Sequence, residues 1–119
     1  MAAASDMVNS PERLRQRSDF LAAASGLKVP TAGFVLQARK RGDDGPVRVG
    51  FTVSRKVGTA VERNRVRRRL KEVARLSAES GLPSGHDYVL IGRRAALSLP
   101  FDKITEDFTR ALRRLRVPR

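Results

Sequence analysis

The 119-residue sequence contains no cysteine or tryptophan, and its aromatic residues are five phenylalanines and one tyrosine. The absence of cysteine excludes disulfides, thiolate zinc sites and thiol nucleophiles. The one histidine, His86, lies in the turn-rich stretch 83–87, which favours a turn or surface role over a catalytic one. A single histidine also excludes a metal site built from several histidines. The commonest zinc and thiol chemistries are therefore absent.

Long hydrophobic runs are also lacking. No apolar segment approaches the roughly 18 to 20 residues that a membrane-spanning helix needs. Residues 1–10 have neither the basic start nor the apolar stretch of a secretory signal, and we expect them to form a flexible tail. We therefore expect a soluble, cytoplasmic protein that does not bind membranes.

The acidic residues do not cluster in the sequence as a nuclease site would require. A protein that cleaves phosphodiesters with two metal ions needs several carboxylates that converge on one point. Here the acids occur in turns, at the starts of elements and along the last predicted helix: Asp43, Asp44, Asp19, Asp87, Asp102, Glu106 and Asp107. No Ser-His-Asp arrangement and no glycine-rich phosphate loop is present. We assign no catalytic side chain and no metal ligand to the protein.

Positive charge is what the sequence has in excess. Lys and Arg number 25 against 12 Asp and Glu, which gives a formal net charge of +13. A small-molecule enzyme does not need this imbalance, whereas a protein that binds a polyanion does. Nucleic acid is therefore the leading class of partner.

Hydrophobic periodicity predicts six elements in one domain. They are a helix within 14–25, strands over 33–39 and 47–53, a helix over 60–77, a strand over 88–91 and a helix after residue 100. The first helix starts at Ser18, or earlier at Ser10 and Pro11. The order helix-strand-strand-helix-strand-helix predicts an α+β fold, a two-layer sandwich with one mixed sheet that spans residues 11–119.

The apolar positions indicate which faces of these elements are buried. Strand 47–53 alternates strictly and strand 33–39 places its apolar residues on one face, so the two resemble an antiparallel hairpin across the turn at 42–46. Residues 88–91 are continuously apolar, which predicts a strand buried on both faces. Each of the two longer helices carries one apolar stripe: Val66, Leu70, Val73, Ala74 and Ser77 in the first, and Ile104, Phe108, Ala111, Leu112 and Leu115 in the second.

The most unusual segment is residues 63–71, which carry six positive side chains in nine positions. On a helix Arg63, Arg67 and Lys71 form one row, and like charges at this spacing repel by about 0.2–0.5 kcal/mol per pair. A bound polyanion relieves that repulsion, and the arginine fork suits phosphate. If about six phosphates are neutralised, affinity should fall roughly 10³-fold or more between low and moderate salt.

The sequence that leads into this helix is similar to the signature of the ribonuclease P protein family. In that family a strand ends in Ser-(Lys/Arg)-Lys-(Val/Ile)-Gly and is followed by a helix that contains Arg-Asn-Arg. Residues 54–58, Ser-Arg-Lys-Val-Gly, and residues 63–65, Arg-Asn-Arg, match both parts. The similarity extends in order from residues 17–20 through 85–89 to the arginine-rich last helix, so only the first dozen residues fall outside it.

The resemblance implies the function of a ribonuclease P protein subunit. A catalytic RNA cleaves precursor tRNA to leave the mature 5′ end, with Mg²⁺ held by RNA and substrate, and the protein assists as a monomer in a one-to-one complex with the RNA. The positions that match the family's RNA-contacting helix and its basic flank are Arg55, Lys56, Arg63, Asn64, Arg65, Arg67, Arg68, Arg69 and Lys71. The resemblance also implies that the strands joined by this helix are parallel, with a left-handed crossover against the usual right-handed rule.

The family also has a cleft, between the sheet and the first helix, that holds the single-stranded 5′ leader of the substrate. Phe20 matches an aromatic position of that cleft, where a ring can stack on a base for about 1–3 kcal/mol. A core role in a short helix explains Phe20 equally well. Ala24 and Gln37 stand where many relatives carry aromatic residues, so we expect leader binding to depend more on charge than on stacking. Phe34 and Phe51 fit the core better than the cleft.

Two other classes of function fit the same composition. A structural RNA-binding protein, such as a ribosomal protein or assembly factor, has the same charge and size and would co-sediment with ribosomal particles. A DNA-binding regulator would lay the basic helix in the major groove of duplex DNA, but residues 60–77 show no dimerisation seam. The arginines near the C-terminus have two possible roles: a second contact with RNA, or stabilisation of the end of the last helix, where cations are favourable. We favour the second role. These arginines are Arg110, Arg113, Arg114, Arg116 and Arg119.

Overall fold

The structure is a computed structural model that describes residues 12–78 and 82–116. Within those residues the strands are β1 (Glu12–Arg13), β2 (Leu27–Pro30), β3 (Phe34–Lys40), β4 (Arg48–Thr52) and β5 (His86–Gly92). The helices are α1 (Arg17–Ala24), α2 (Ala60–Ala78) and α3 (Phe101–Arg116), with a first 3₁₀ turn (Arg55–Val57) and a second 3₁₀ turn (Arg94–Leu97). The predicted tail, residues 1–10, lies outside the described residues.

The strands form one mixed sheet in the order β1-β4-β5-β3-β2. β5 is antiparallel to β3 and parallel to β4, and α2 connects the two parallel strands. The predicted α+β domain with a mixed sheet is confirmed, and so is a parallel pair joined by the basic helix. The left-handed crossover stays an expectation from the resemblance.

The predicted hairpin of β3 and β4 is wrong, because β5 lies between them. β5 carries apolar residues at consecutive positions, and only a central place in the sheet buries both of its faces. Tyr88, Val89 and Leu90 are accordingly 2 % exposed or less. The alternating patterns of β3 and β4 require one buried face and do not identify the neighbouring strand. The hairpin that does form joins β2 to β3, where the Thr31 hydroxyl donates to the Phe34 carbonyl at 2.8 Å.

Two edge strands are missing from the predicted order. β1 has two residues, and β2 has four, among them Lys28 and Pro30. Short strands that contain proline or charge are typical of sheet edges and lack the alternation by which strands are recognised. The six predicted elements occur in the predicted order, and α1 begins at Arg17, one residue before Ser18.

The main core lies between one face of the sheet and helices α2 and α3. Its largest buried side chains are Phe34 and Phe108, whose rings meet edge to face with centroids 6.0 Å apart. Phe51 packs at the margin of the same core, so the core assignment of Phe34 and Phe51 is confirmed. The predicted stripes are buried there: Val66, Leu70, Val73 and Ala74 of α2, and Ile104, Phe108, Ala111 and Leu112 of α3.

The opposite face of the sheet is covered in part by α1. Phe20 and Ala23 pack there with Val89 and Ile91, which alternate along β5 with residues of the main core. The predicted two-layer sandwich therefore describes the main core, and α1 adds a partial third layer. We call this side of the sheet the α1 face.

Candidate nucleic-acid interface

The basic helix α2 begins at a capping box, which the sequence contains as Thr-x-x-Glu. The Thr59 N–H donates to the Glu62 carboxylate at 2.9 Å, and the Glu62 N–H donates to the Thr59 hydroxyl at 3.2 Å. Hydrogen bonds from Arg94, and then from the Thr59 N–H, hold the pKa of Glu62 below its ordinary value. Gly58 precedes the box, and a Cβ at that position would collide with the Glu62 carboxylate. These contacts determine where the arginine-rich turns of α2 start.

The centre of the basic surface lies on the side of α2 that faces away from the core. Arg65 and Arg68 are exposed there, beside Asn64. Within the described chain neither arginine side chain forms a hydrogen bond or an ion pair with the protein. Their guanidinium groups can therefore donate all of their hydrogen bonds to a partner.

Two further predicted contacts are partly engaged within the protein. Arg67 donates to the Asn64 side chain at 2.8 Å, and Arg63 donates to the Gly58 carbonyl at 2.8 Å. Each guanidinium keeps further N–H groups for a ligand, since an arginine has five donors. These intramolecular bonds restrict the side chains and so reduce the entropy that RNA binding would remove.

Arg69 has a structural role that its place in the arginine run does not reveal. Its guanidinium donates to the carbonyl oxygens of Ala96, Leu97 and Leu99 at 2.8, 3.1 and 2.6 Å. These bonds attach α2 to the second 3₁₀ turn and satisfy carbonyls at its end. Arg69 therefore stabilises the fold, and its predicted contact with RNA stays a prediction.

Arg13 of β1 extends the basic surface beyond the residues that the sequence indicated. Burial, and then the charges of Arg13 and Arg67, lower the pKa of Lys71. Arg13 and Arg67 therefore both lie near enough to Lys71 for their charges to act on it. No sequence pattern singles out Arg13, because β1 is a two-residue strand and Lys71 is far away along the chain.

The basic flank continues into the first 3₁₀ turn. Arg55 and Lys56 are exposed, whereas Val57 is buried and anchors the turn in the main core. The turn directly precedes α2, so its two cations continue the surface formed by Arg65 and Arg68. The structure thus brings most of the predicted RNA-binding residues to one side of the molecule.

The register of the three central strands arranges the α1 face in rows. From one end of the strands to the other these rows are Arg39–Asp87–Arg48, Gln37–Val89–Gly50 and Val35–Ile91–Thr52. α1 packs on the middle row, where Gln37 is 6 % exposed. The third row, which we call the open row, is half-buried although it lies on central strands. The open row is the candidate cleft for a single strand.

Phe20 stands beside the open row and is half-buried. Its ring packs against Gly50, where an added Cβ would lie 2.6 Å from two ring carbons. Only glycine leaves room for the ring at this point of β4. Phe20 therefore anchors α1 to the sheet and also presents aromatic surface to solvent, so its core contact is compatible with the predicted role in the cleft, which stays a prediction.

Replacing Gly50 by alanine should destabilise the protein by about 1–3 kcal/mol, because the added methyl group displaces the Phe20 ring. The free energy of unfolding, measured by urea denaturation, tests this. In a Phe20→Ala background the same replacement should cost much less, since the obstructing ring is gone. Equal costs in the two backgrounds would contradict the proposed contact.

The first row of the α1 face contains a buried ion cluster. Asp87 is fully buried and accepts hydrogen bonds from Arg41 at 2.6 Å and from two nitrogens of Arg48 at 2.9 and 2.8 Å. Burial alone would raise the pKa of Asp87, but Arg48 and Arg41 outweigh it and hold the pKa below its ordinary value. Asp19 of α1 pairs with Arg48 at 3.3 Å and Arg39 at 3.9 Å. The sequence indicated Asp87 only as a strand start.

Six carboxylates of the described residues form ion pairs with arginines: Asp19, Asp43, Glu62, Glu72, Asp87 and Asp107. No group of three or more His, Cys, Asp or Glu residues that could hold a metal ion occurs in the described ranges. The part of the chain that the structure describes also contains no helix of the length and apolar character needed to cross a membrane.

Comparison with known proteins identifies the family. The sequence model of the ribonuclease P family matches residues 8–116. The chain belongs to the ribonuclease P protein family. The ribonuclease P protein component of Ruegeria pomeroyi is 50% identical over 109 residues, which cover 89% of this chain and 87% of the relative. The solved ribonuclease P protein of Thermotoga maritima is 34% identical with a TM-score of 0.72, over 87% of this chain and 96% of that protein.

A ribonuclease P protein is a subunit of an endoribonuclease that acts in tRNA processing as a ribonucleoprotein. The partners of this chain are accordingly ribonuclease P RNA and a tRNA substrate. A further relative, the ribonuclease P protein component of Gluconacetobacter diazotrophicus, is 47% identical over 91% of this chain and 94% of its own length. The resemblance seen in the sequence is confirmed, and the family replaces the ribosomal and DNA-binding alternatives.

Proposed function

We propose that the exposed cations of α2 and the first 3₁₀ turn bind the RNA subunit, and that the open row with Phe20 holds the 5′ leader of precursor tRNA. The observation that carries this proposal is the path of β4. That strand supplies Thr52 to the open row and, three residues later, Arg55 to the basic surface. One RNA complex can therefore contact both surfaces at the same time.

The RNA-subunit surface is centred on Arg65 and Arg68, which have no partner within the described protein. Planar guanidinium groups donate two hydrogen bonds at once to a phosphate. A bound phosphate also reduces the repulsion among the positive side chains of α2. Arg55, Lys56 and Arg13 extend this surface.

The leader site combines apolar contact with charge. Val35, Ile91 and Thr52 form a shallow floor, and Phe20 can stack on a base for about 1–3 kcal/mol. Arg93 directly follows the end of β5, and its exposed side chain donates to the Thr31 carbonyl at 2.7 Å. An arginine at the end of the row attracts the leader phosphates.

The proposed division of labour leaves catalysis to the RNA. In this proposal Mg²⁺ is held by RNA and substrate phosphates, as the resemblance implies. The protein, one copy per RNA, neutralises phosphate charge and positions the substrate, which lowers the Mg²⁺ concentration that the complex requires. The proposed place of action is the cytoplasm, together with its RNA partners.

Cleavage of precursor tRNA by the cognate RNA at low Mg²⁺ should be correct and efficient only with the protein present. Phe20→Ala should weaken binding of a substrate that carries a leader by about 5- to 150-fold, which corresponds to the loss of one stacked base. Binding of mature tRNA should not change.

Phe101→Ala is the matched control, because Phe101 is also half-buried but packs on the main core. It should leave the preference for the leader intact. If the protein binds RNA without changing cleavage, the proposed function is wrong. If Phe20→Ala affects substrates with and without a leader equally, the leader site is wrong.

A further inference from the structure

Helix α1 carries Phe20 but has few contacts that hold it in place. It is eight residues long, and its N-cap residue, Gln16, makes no side-chain capping bond. Its buried contacts belong to a small cluster of Leu14, Ala23 and Val89. A helix of this length is not stable by itself in water, so its position depends on tertiary contacts. The charged contacts of Asp19 therefore matter for where Phe20 lies.

Asp19 pairs with two arginines of the sheet, and both of them also contact the buried carboxylate of Asp87 in β5. Arg48 gives its Nε and one Nη nitrogen to buried Asp87 at 2.9 and 2.8 Å, and its other Nη nitrogen lies 3.3 Å from Asp19. Arg39 lies between the same two carboxylates, 3.9 Å from Asp19 and 3.8 Å from Asp87. Because Asp87 fixes the Arg48 guanidinium, little further entropy is lost when Asp19 binds it.

Two successive residues of α1 engage two successive positions on the same face of β4. Asp19 pairs with Arg48, and Phe20 packs on Gly50, which is two residues further along the strand. The ion pair therefore fixes the register of α1 against the row that lies beside the open row. A shift of α1 along the sheet would therefore break the ion pair and at the same time move the Phe20 ring away from Gly50.

We infer that Asp19 is a positioning residue of the leader cleft, which holds the Phe20 ring in register beside the open row through Arg48 and Arg39. This rests on the proposed leader site. Asp19 does not touch the leader itself. It stands among cations that would attract phosphate, and its own charge repels the leader. Positioning explains why a carboxylate is useful at this point of a protein whose net charge is +13.

The direction in which Asp19→Asn changes the affinity for substrates that carry a leader distinguishes a positioning role from a purely electrostatic one. Asp19→Asn raises the net charge from +13 to +14 and removes one of the two carboxylate partners of Arg39 and Arg48, so electrostatics alone predicts tighter binding of any RNA. Positioning predicts weaker binding of substrates that carry a leader and no change for mature tRNA. The matched control is Asp102→Asn, because Asp102 is also an aspartate in the first turn of a helix and its removal changes the charge equally.

The experiment measures the dissociation constants of the reconstituted holoenzyme for precursor tRNA and for mature tRNA, and the affinity of each variant for the RNA subunit. We expect Asp19→Asn to reduce the affinity gain that the leader provides by about threefold or more. Asp19→Glu should restore most of it, and Asp102→Asn should leave it unchanged. In a double-mutant cycle, Asp19→Asn should add little to Phe20→Ala, since both act on one ring.

Three results overturn the inference alone. The first is an unchanged leader preference in Asp19→Asn while Phe20→Ala reduces it, which leaves the proposed leader site intact. The second is a gain in leader affinity, which makes Asp19 a competitor of phosphate. The third is an equal loss for mature tRNA and for the RNA subunit, which indicates general unfolding, and thermal denaturation of Asp19→Asn identifies that case. No effect of Phe20→Ala would instead overturn the leader site and the inference together.

Discussion

Replacing Asp87 by asparagine should lower the free energy of unfolding by about 3 kcal/mol, because Arg41 and Arg48 lose the one fully buried carboxylate that they share and keep only more exposed partners. Asparagine keeps the shape of the side chain, so the loss reports the charge. The Arg41 side chain is only 8% exposed and cannot turn to water. For a domain whose total stability is about 5–15 kcal/mol, this is a large fraction. Urea denaturation at neutral pH measures it.

Asp43→Asn is the control for this result. Asp43 also pairs with Arg41, at 3.0 Å, but its side chain is 57% exposed. Water screens this ion pair, and Arg41 keeps the buried Asp87 carboxylate, so stability should hardly change. Equal effects of the two replacements would show that Asp87 is not a buried counter-ion.

The pKa of Asp87 also predicts how the free energy of unfolding depends on pH. The folded-state pKa of Asp87 lies below the ordinary value of 3.8, because Arg48 and Arg41 outweigh the effect of burial. A lowered pKa means that the contribution is complete above pH 3.8 and is lost as the pH falls through the folded-state value. Stability of the wild type should therefore decline below that range, and Asp87→Asn should decline less steeply. If the free energy of unfolding fell with pH in parallel for the wild type and Asp87→Asn, the lowered pKa of Asp87 would be contradicted.

Removing Arg65 and Arg68 together should weaken binding of the RNA subunit by about 100-fold or more, since each charge-assisted hydrogen bond contributes about 1.5–3 kcal/mol. The salt dependence supplies a second readout. The slope of log affinity against log salt should decrease by about one for each phosphate that is no longer neutralised, so by about two in the double alanine variant. Filter binding at a series of salt concentrations measures both quantities.

Two comparison variants make this prediction specific. The double variant Arg113→Ala with Arg114→Ala removes the same charge from exposed positions of α3, and should leave the slope nearly unchanged if those arginines serve only the helix end. Arg69→Ala should lower stability because three hydrogen bonds to carbonyls are removed, and should change the slope little. A slope that depends only on net charge would show that RNA binding has no defined site on α2.

Much of the fold could be predicted because the relevant signals are local. The bounds of α2 and α3 follow from apolar stripes of period 3.6, and the central place of β5 agrees with its continuous apolar run. The arginine run of α2 and the family motif beside it indicate RNA binding by their residues alone. β1 and β2 could not be predicted, because two and four residues are too few to show a period.

The sequence by itself determined the family and which helix is basic, because the family motif, the charge density and the helical period are all properties of neighbouring residues. Only the tertiary structure decided which strands pair and which cations remain available. Arg68 and Arg69 are adjacent, yet one is exposed without a partner in the described chain and the other binds three carbonyls across the fold. Asp19, Arg48 and Asp87 come from three elements and meet only in the folded protein. Such contacts depend on register and packing between distant segments, which no local pattern records.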